Sequence, residues 1–173
     1  MQLKVIPTLN DMEKVIEKIS SYNLFNYLLP GVIFVIFSKN FLPMNLVQEN
    51  VILDVFLYYF IGLVISRFGS LVIEPVLKKI KFLIFAKYED LVSTSKIDSK
   101  IEIFLEENNI YRTFVAMFSL LLLSKLYLYI QTIYQYLQNF DSYILIALLF
   151  VMFSYSYRKQ TAYITKRINR TKN

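Results

Sequence analysis

Apolar residues in this chain gather in blocks separated by charged connections, and the block over residues 51–70 sets the pattern for the others. A helix of about 20 residues crosses the roughly 30 Å hydrocarbon core of a bilayer. Along this block Asp54, Tyr58, Gly62, Ser66 and Gly69 recur at intervals of three or four. At about 100° per residue all five fall on one side of a helix, within roughly 120°. A membrane helix with one small and polar face predicts a partner on that face, and a carboxylate at this depth predicts shelter from lipid. Packing between helices is the simpler use of the face; lining a polar path is the other.

Three further blocks have the same character. Residues 21–38 carry Asn23, Asn26 and the pair Pro30 and Gly31, where a missing backbone donor beside a glycine predicts a kink and marks a candidate hinge. Residues 113–136 carry Lys125, with Tyr129, Thr132 and Tyr136 on the same helical face. An ammonium near mid-bilayer costs about 3 kcal/mol on insertion scales, so a counter-ion is expected. Asp54 is the group within reach, in the same chain or in another. Residues 143–157 make a short, nearly featureless fourth span. Asp54, Tyr58, Gly62, Ser66, Gly69, Lys125, Tyr129 and Thr132 are thus the expected inter-helix or pore-facing polar set.

The connections have patterns of their own. Over residues 1–20, Met12, Val15, Ile16 and Ile19 follow amphipathic helical spacing after a capping box at Asn10 and Glu13. No small-residue cleavage site follows, so the first span is expected to be retained. Residues 74–112 read as a helical loop. A basic amphipathic helix with Lys78, Lys79 and Lys81 is expected over 76–84, and a polar turn over 87–99. A helix capped by Asp98 or Ser99 then runs into the third span as a stalk, whose apolar face predicts association with other copies. Residues 158–173 form a basic tail. The predicted fold is therefore all-α: an integral membrane protein with four transmembrane helices plus amphipathic cytoplasmic helices.

Composition agrees and charge adds orientation. A mean hydropathy of +0.46 is far from that of a soluble domain. Of 19 Lys and Arg, all but Lys39 and Lys125 lie before the first span, between Arg67 and Arg112, or after Tyr157. That asymmetry predicts that both termini and the 74–112 loop face the cytoplasm. With no Cys and no His, thiolate and imidazole chemistry and the usual zinc sites are excluded. Only Gly31, Gly62 and Gly69 are available, and none opens a phosphate loop. The acidic pairs Glu89-Asp90 and Glu106-Glu107 are neighbours that do not face each other on a helix. No catalytic residue, metal site or cofactor is expected, and the chain does not read as an enzyme.

Tyr22-Asn23 with Leu28-Leu29-Pro30-Gly31, Arg67-Phe68-Gly69-Ser70 with Glu74-Pro75, and Asn108-Asn109 with Tyr111-Arg112-Thr113 look like segments of small bacterial four-span proteins of anti-phage defence. The chain resembles the membrane effector of the Hailong type, and the membrane subunit of Kiwa is the other family it resembles. The first resemblance implies a homotetramer in the bacterial inner membrane. It would be held closed by short single-stranded DNA from a partner nucleotidyltransferase and would depolarise the membrane once that DNA is lost. Lys78, Lys79, Lys81, Lys87 and Arg112 are then candidate phosphate ligands, with Tyr88 or Tyr111 stacking on bases. Two classes of function stay open: a gated oligomeric channel or effector, and a non-conducting scaffold that recruits a cytoplasmic partner through its basic loops.

Overall fold

A computed structural model of the chain describes residues 21–42, 46–47, 50–95 and 97–171. The helix expected over 1–20 lies outside them, as do Pro43 and Met44 of the outer connection. Among the described residues the regular elements are all helices. Helix α1 comprises Ser21–Asn23, a π turn Leu24–Leu28 and Leu29–Phe41. Helix α2 comprises Val51–Phe68, a second π turn Gly69–Ile73 and Glu74–Lys79. A short α3, Tyr88–Thr94, precedes α4, Lys100–Ile133; a 3-10 turn, Gln135–Phe140, leads to α5, Asp141–Thr171. Four segments, Leu24–Phe41, Val51–Lys79, Lys100–Ile133 and Gln135–Asn169, are long and apolar enough to cross a membrane.

Local chemistry explains where these helices begin, bend and stop. Asn50 caps α2, its Oδ1 accepting the Ile52 N–H at 2.9 Å. The irregularity expected at Pro30 and Gly31 sits just before them. Pro30 has no N–H to return to Asn26, and the chain adjusts with a π turn in which Leu29 N–H reaches back to the Leu24 carbonyl. Glu74-Pro75 does not end α2 as its sequence suggests, because Pro75 falls in the first turn after a π turn. The helix stops at Lys79 instead. Lys81 takes φ 60°, its N–H bonds the Lys78 carbonyl, and the Phe82 N–H bonds the Leu77 carbonyl at 3.0 Å. This is a Schellman cap with lysine where glycine is usual, so the basic helix expected over 76–84 is cut short and Lys81 leaves its face.

Two other boundaries are corrected. The polar turn expected over 87–99 contains α3, and the basic tail continues α5 as helix to Thr171. Asp98 accepts the Lys100 N–H at 2.9 Å, and α4 runs on unbroken through Asn108 and Asn109 for 34 residues, about 51 Å.

Helices α1 and α2 are antiparallel and touch backbone to backbone. A Cβ added at Gly31 would overlap the Tyr58 carbonyl and lie 3.1 Å from Gly62 N; one at Gly62 would overlap the Tyr27 carbonyl. Helix α4 packs against this pair, where Ala116 and Met117 join Ile65 in a small core. Gly69 admits it, with its absent Cβ 3.1 Å from that of Ala116. Helix α5 is only lightly attached. Its Phe153 stacks on Phe60 at 6.3 Å, and no residue of its most apolar stretch is buried.

Replacing Gly31 or Gly62 by Ala should lower stability by about 1–3 kcal/mol, the usual cost of forcing a methyl group into a filled site. Gly69→Ala should cost less, since there it meets side chains that can shift. Melting of the three variants in detergent checks the ranking.

Candidate functional site

The polar face predicted for α2 is largely spent inside the chain. Gly62, Ser66 and Gly69 are buried, while Asp54 and Tyr58 are half-buried. Gly31, expected as part of a hinge, is locked against α2. The polar face predicted for α4 does not meet this row: Lys125, Tyr129 and Thr132 are exposed on the single chain. Lys78 and Arg112 each pair with Glu74, and the expected pair of Asp54 and Lys125 is not seen among the described residues of one chain. Lys125 Nζ donates to the Phe41 carbonyl at 3.3 Å. The reason is electrostatic: the last carbonyls of α1 lack helical donors and carry the negative end of its dipole. Asp54 has Tyr58, one turn on, as a neighbour.

Polar groups converge instead at the other end of the bundle, around both π turns. Asn26 and Thr113 are fully enclosed, with Thr113 Oγ1 2.8 Å from Asn26 Oδ1 and 2.8 Å from the Asn109 carbonyl. One hydroxyl proton cannot serve both acceptors; the pair is satisfied when Thr113 donates to Asn109 and the Asn26 amide is turned to donate to Thr113. One turn further out, Arg67 Nη2 donates to Tyr27 Oη at 3.3 Å. Glu74 receives Arg112 Nη1 at 3.0 Å and Lys78 Nζ at 2.8 Å. From α5, Lys159 Nζ donates to the Ser70 carbonyl at 2.7 Å and to Ser70 Oγ at 2.8 Å.

Among the described residues Glu74 thus meets Lys78, Arg112 and Lys159, with Arg67 close enough to Lys159 to act on it. Glu74 and Lys159 lie beyond the spans read at 51–70 and 143–157. Burial alone would raise the Glu74 pKa, but the hydrogen bond from Lys78 and the charges of Lys159 and Lys78, with Arg112, leave it lowered. Burial lowers the Lys159 pKa; Glu74 opposes this, while Arg112, Lys78 and Arg67 reinforce it. The Arg112 and Glu74 side chains retain only 20% and 13% of their exposure. Arg112 Nε is buried without a hydrogen-bond partner.

The remaining predicted ligand residues are dispersed. Lys79, Lys81 and Lys87 are exposed. Lys78 is exposed as well; it pairs with Glu74 one turn back and lies 3.9 Å from the Phe85 ring centre. The ring of half-buried Tyr88 lies 5.9 Å from Lys166 Nζ, and Tyr111 is 68% exposed. Arg112 belongs to the junction. Sequence reasoning did not single out Asn26, Ser70, Glu74, Thr113 or Lys159 as a set. Their shared signal is a polar residue where an apolar block begins or ends. It also missed the opposite clasp, where Tyr127 Oη and Gln131 Nε2 both donate to Asp141 Oδ1, at 2.7 and 2.6 Å.

No protein-family model, curated protein or solved structure matches the chain.

Glu74→Gln should destabilise the chain by about 1–3 kcal/mol, because Arg112 and Lys78 lose a charged acceptor in a partly enclosed place. Thr113→Val should cost a similar amount by leaving Asn26 unsatisfied. Detergent denaturation checks both; wild-type stability in Glu74→Gln would mean that the carboxylate is dispensable.

Proposed function

We propose that the chain is one subunit of an oligomeric membrane effector or channel of the bacterial inner membrane, gated from the side on which Glu74 and both termini lie. The observation that carries this reading is the exposed row Lys125, Tyr129 and Thr132 on a helix long and apolar enough to span a bilayer. One contact to a carbonyl leaves the Lys125 ammonium two unspent protons. Facing them to acyl chains is costly, whereas facing them to another copy or to a wet axis is not. Asp54 of a neighbouring copy is the counter-charge this reading assigns to Lys125. About 20 residues of α4 fill a hydrocarbon core, leaving a protruding stalk on which Ile103, Phe104 and Tyr111 are more than half exposed. Those side chains favour self-association.

For the trigger, the exposed Lys79, Lys81 and Lys87 with Tyr111 fit a phosphate backbone carrying stackable bases, namely a short single-stranded DNA made by a partner nucleotidyltransferase. In an assembly of four copies each of these charges would be repeated around one axis. The effect on the cell would be depolarisation during phage defence.

A second reading is favoured by one specific observation. Because Gly62, Ser66 and Gly69 are consumed in packing, α2 has little polar surface left to line a path, as suits a non-conducting scaffold that holds a partner through its basic loops.

Reconstituted vesicles should pass ions, and Lys125→Glu should shift their preference from anions towards cations. Assembled protein that never conducts would leave the scaffold. Replacing Lys79, Lys81 and Lys87 together by Glu should abolish oligonucleotide binding at fixed salt while insertion is retained; unchanged binding would remove this patch from the mechanism.

A further inference from the structure

Among the described residues, the junction around Glu74 gathers more cations than carboxylates. Glu74 is bonded by Lys78 and Arg112 and feels the charge of Lys159, while Lys159 feels Arg112, Lys78 and Arg67 as well as Glu74. Arg67 ties α2 to Tyr27 of α1, while Arg112 of α4 and Lys159 of α5 are tied to Glu74 and Ser70 of α2, so the cluster is held across four helices. Arg67 spends one nitrogen on Tyr27 and Arg112 one on Glu74, although a guanidinium carries five N–H donors. Arg112 Nε is enclosed with no acceptor at all. Such an excess in a partly dehydrated place is stabilised by a further anion, and planar guanidinium groups suit tetrahedral oxyanions. Arg67 and Ser70 close the apolar run read at 51–70, and Lys159 lies just past that read at 143–157, the depth at which headgroup phosphates lie in a bilayer.

We infer that this junction binds a phosphate group, that of an anionic lipid headgroup, between Arg67, Arg112 and Lys159 beside Ser70. A zwitterionic lipid is a poorer occupant, since its own cation would enter a field already positive. The inference rests on the membrane reading above and not on the channel or its trigger. The site is distinct from the exposed Lys79, Lys81 and Lys87.

The test uses the full chain purified in a neutral detergent, melted with added phosphatidylglycerol, phosphatidylcholine or inorganic phosphate. Phosphatidylglycerol should raise the Tm by about 5 °C and the other two by little. Arg67→Gln and Lys159→Met, made singly, should each lose most of that rise, while Lys39→Gln with Lys100→Gln should keep it. Glu74→Gln should show a larger rise than wild type, because the competing carboxylate is gone. Native mass spectrometry should count one retained phosphatidylglycerol per chain, fewer in Arg67→Gln, even where a variant melts too early to compare. An equal rise with inorganic phosphate supports the phosphate site and gives it to a soluble anion. No rise, or one that Arg67→Gln and Lys159→Met share with wild type, overturns the inference. Extraction of the chain from cell membranes by alkaline carbonate would instead overturn the membrane reading, and is scored separately.

Discussion

The whole arrangement depends on two glycines that let α1 and α2 meet main chain to main chain. Gly31 rests on the Tyr58 carbonyl and Gly62 on that of Tyr27. In a bilayer, which the four long apolar helices are fit to cross, burial would supply little drive for helices to associate, and close approach would come from dispersion and short polar contacts. This contact fixes the register of the antiparallel pair. Once it is fixed, Tyr27 stands opposite Gly62, close enough for its hydroxyl to meet the Arg67 guanidinium, and α4 enters the groove beside the pair with Thr113 and Ala116 enclosed. The polar junction is therefore a consequence of the glycine contact.

The two π turns make that convergence compatible with continuous helices. Each widens its helix by one residue per turn, and they fall where side chains from several helices have to share one volume: Asn26 and Tyr27 lie within the first, and Gly69 and Ser70 within the second. An unbroken α-helix would rotate the residues beyond each turn by about 100°, carrying Glu74 away from Arg112. Widened turns of this kind are common at functional sites. Here they bring Glu74 to Arg112 and Ser70 to Lys159 without breaking a helix.

Much of this was legible in the chain and some was not, for identifiable reasons. Blocks of apolar residues announced the four long helices, and the absence of proline between Lys100 and Ile133 announced that stalk and span are one piece. The ends were harder to read. Helix α2 passes Glu74-Pro75 because a π turn precedes it, and stops at Lys81, a residue type that seldom takes a left-handed conformation. The extension of α5 was hidden because Arg158, Lys159 and Lys166 look like a loose tail, although nothing there breaks a helix. Among the site residues, the face from Asp54 to Gly69 was visible by period; within one chain α1 meets it at Gly62 and α4 at Gly69, and Lys125 reaches the open carbonyl end of α1. The pairing of Asn26 with Thr113 and of Lys159 with Ser70 joins positions 87 and 89 residues apart, a separation at which no local pattern speaks.

One consequence follows from the unbroken α4. Its fully enclosed section, Thr113, Ala116 and Met117, lies a little short of its middle, with an arm of about 22 Å back to Lys100 and one of about 27 Å on to Ile133 at 1.5 Å per residue. A stiff rod pivoting there would act as a lever. A sideways displacement imposed on one arm would emerge at the far end at about the same size, in the opposite direction, with no need for a chain of repacked side chains between the two.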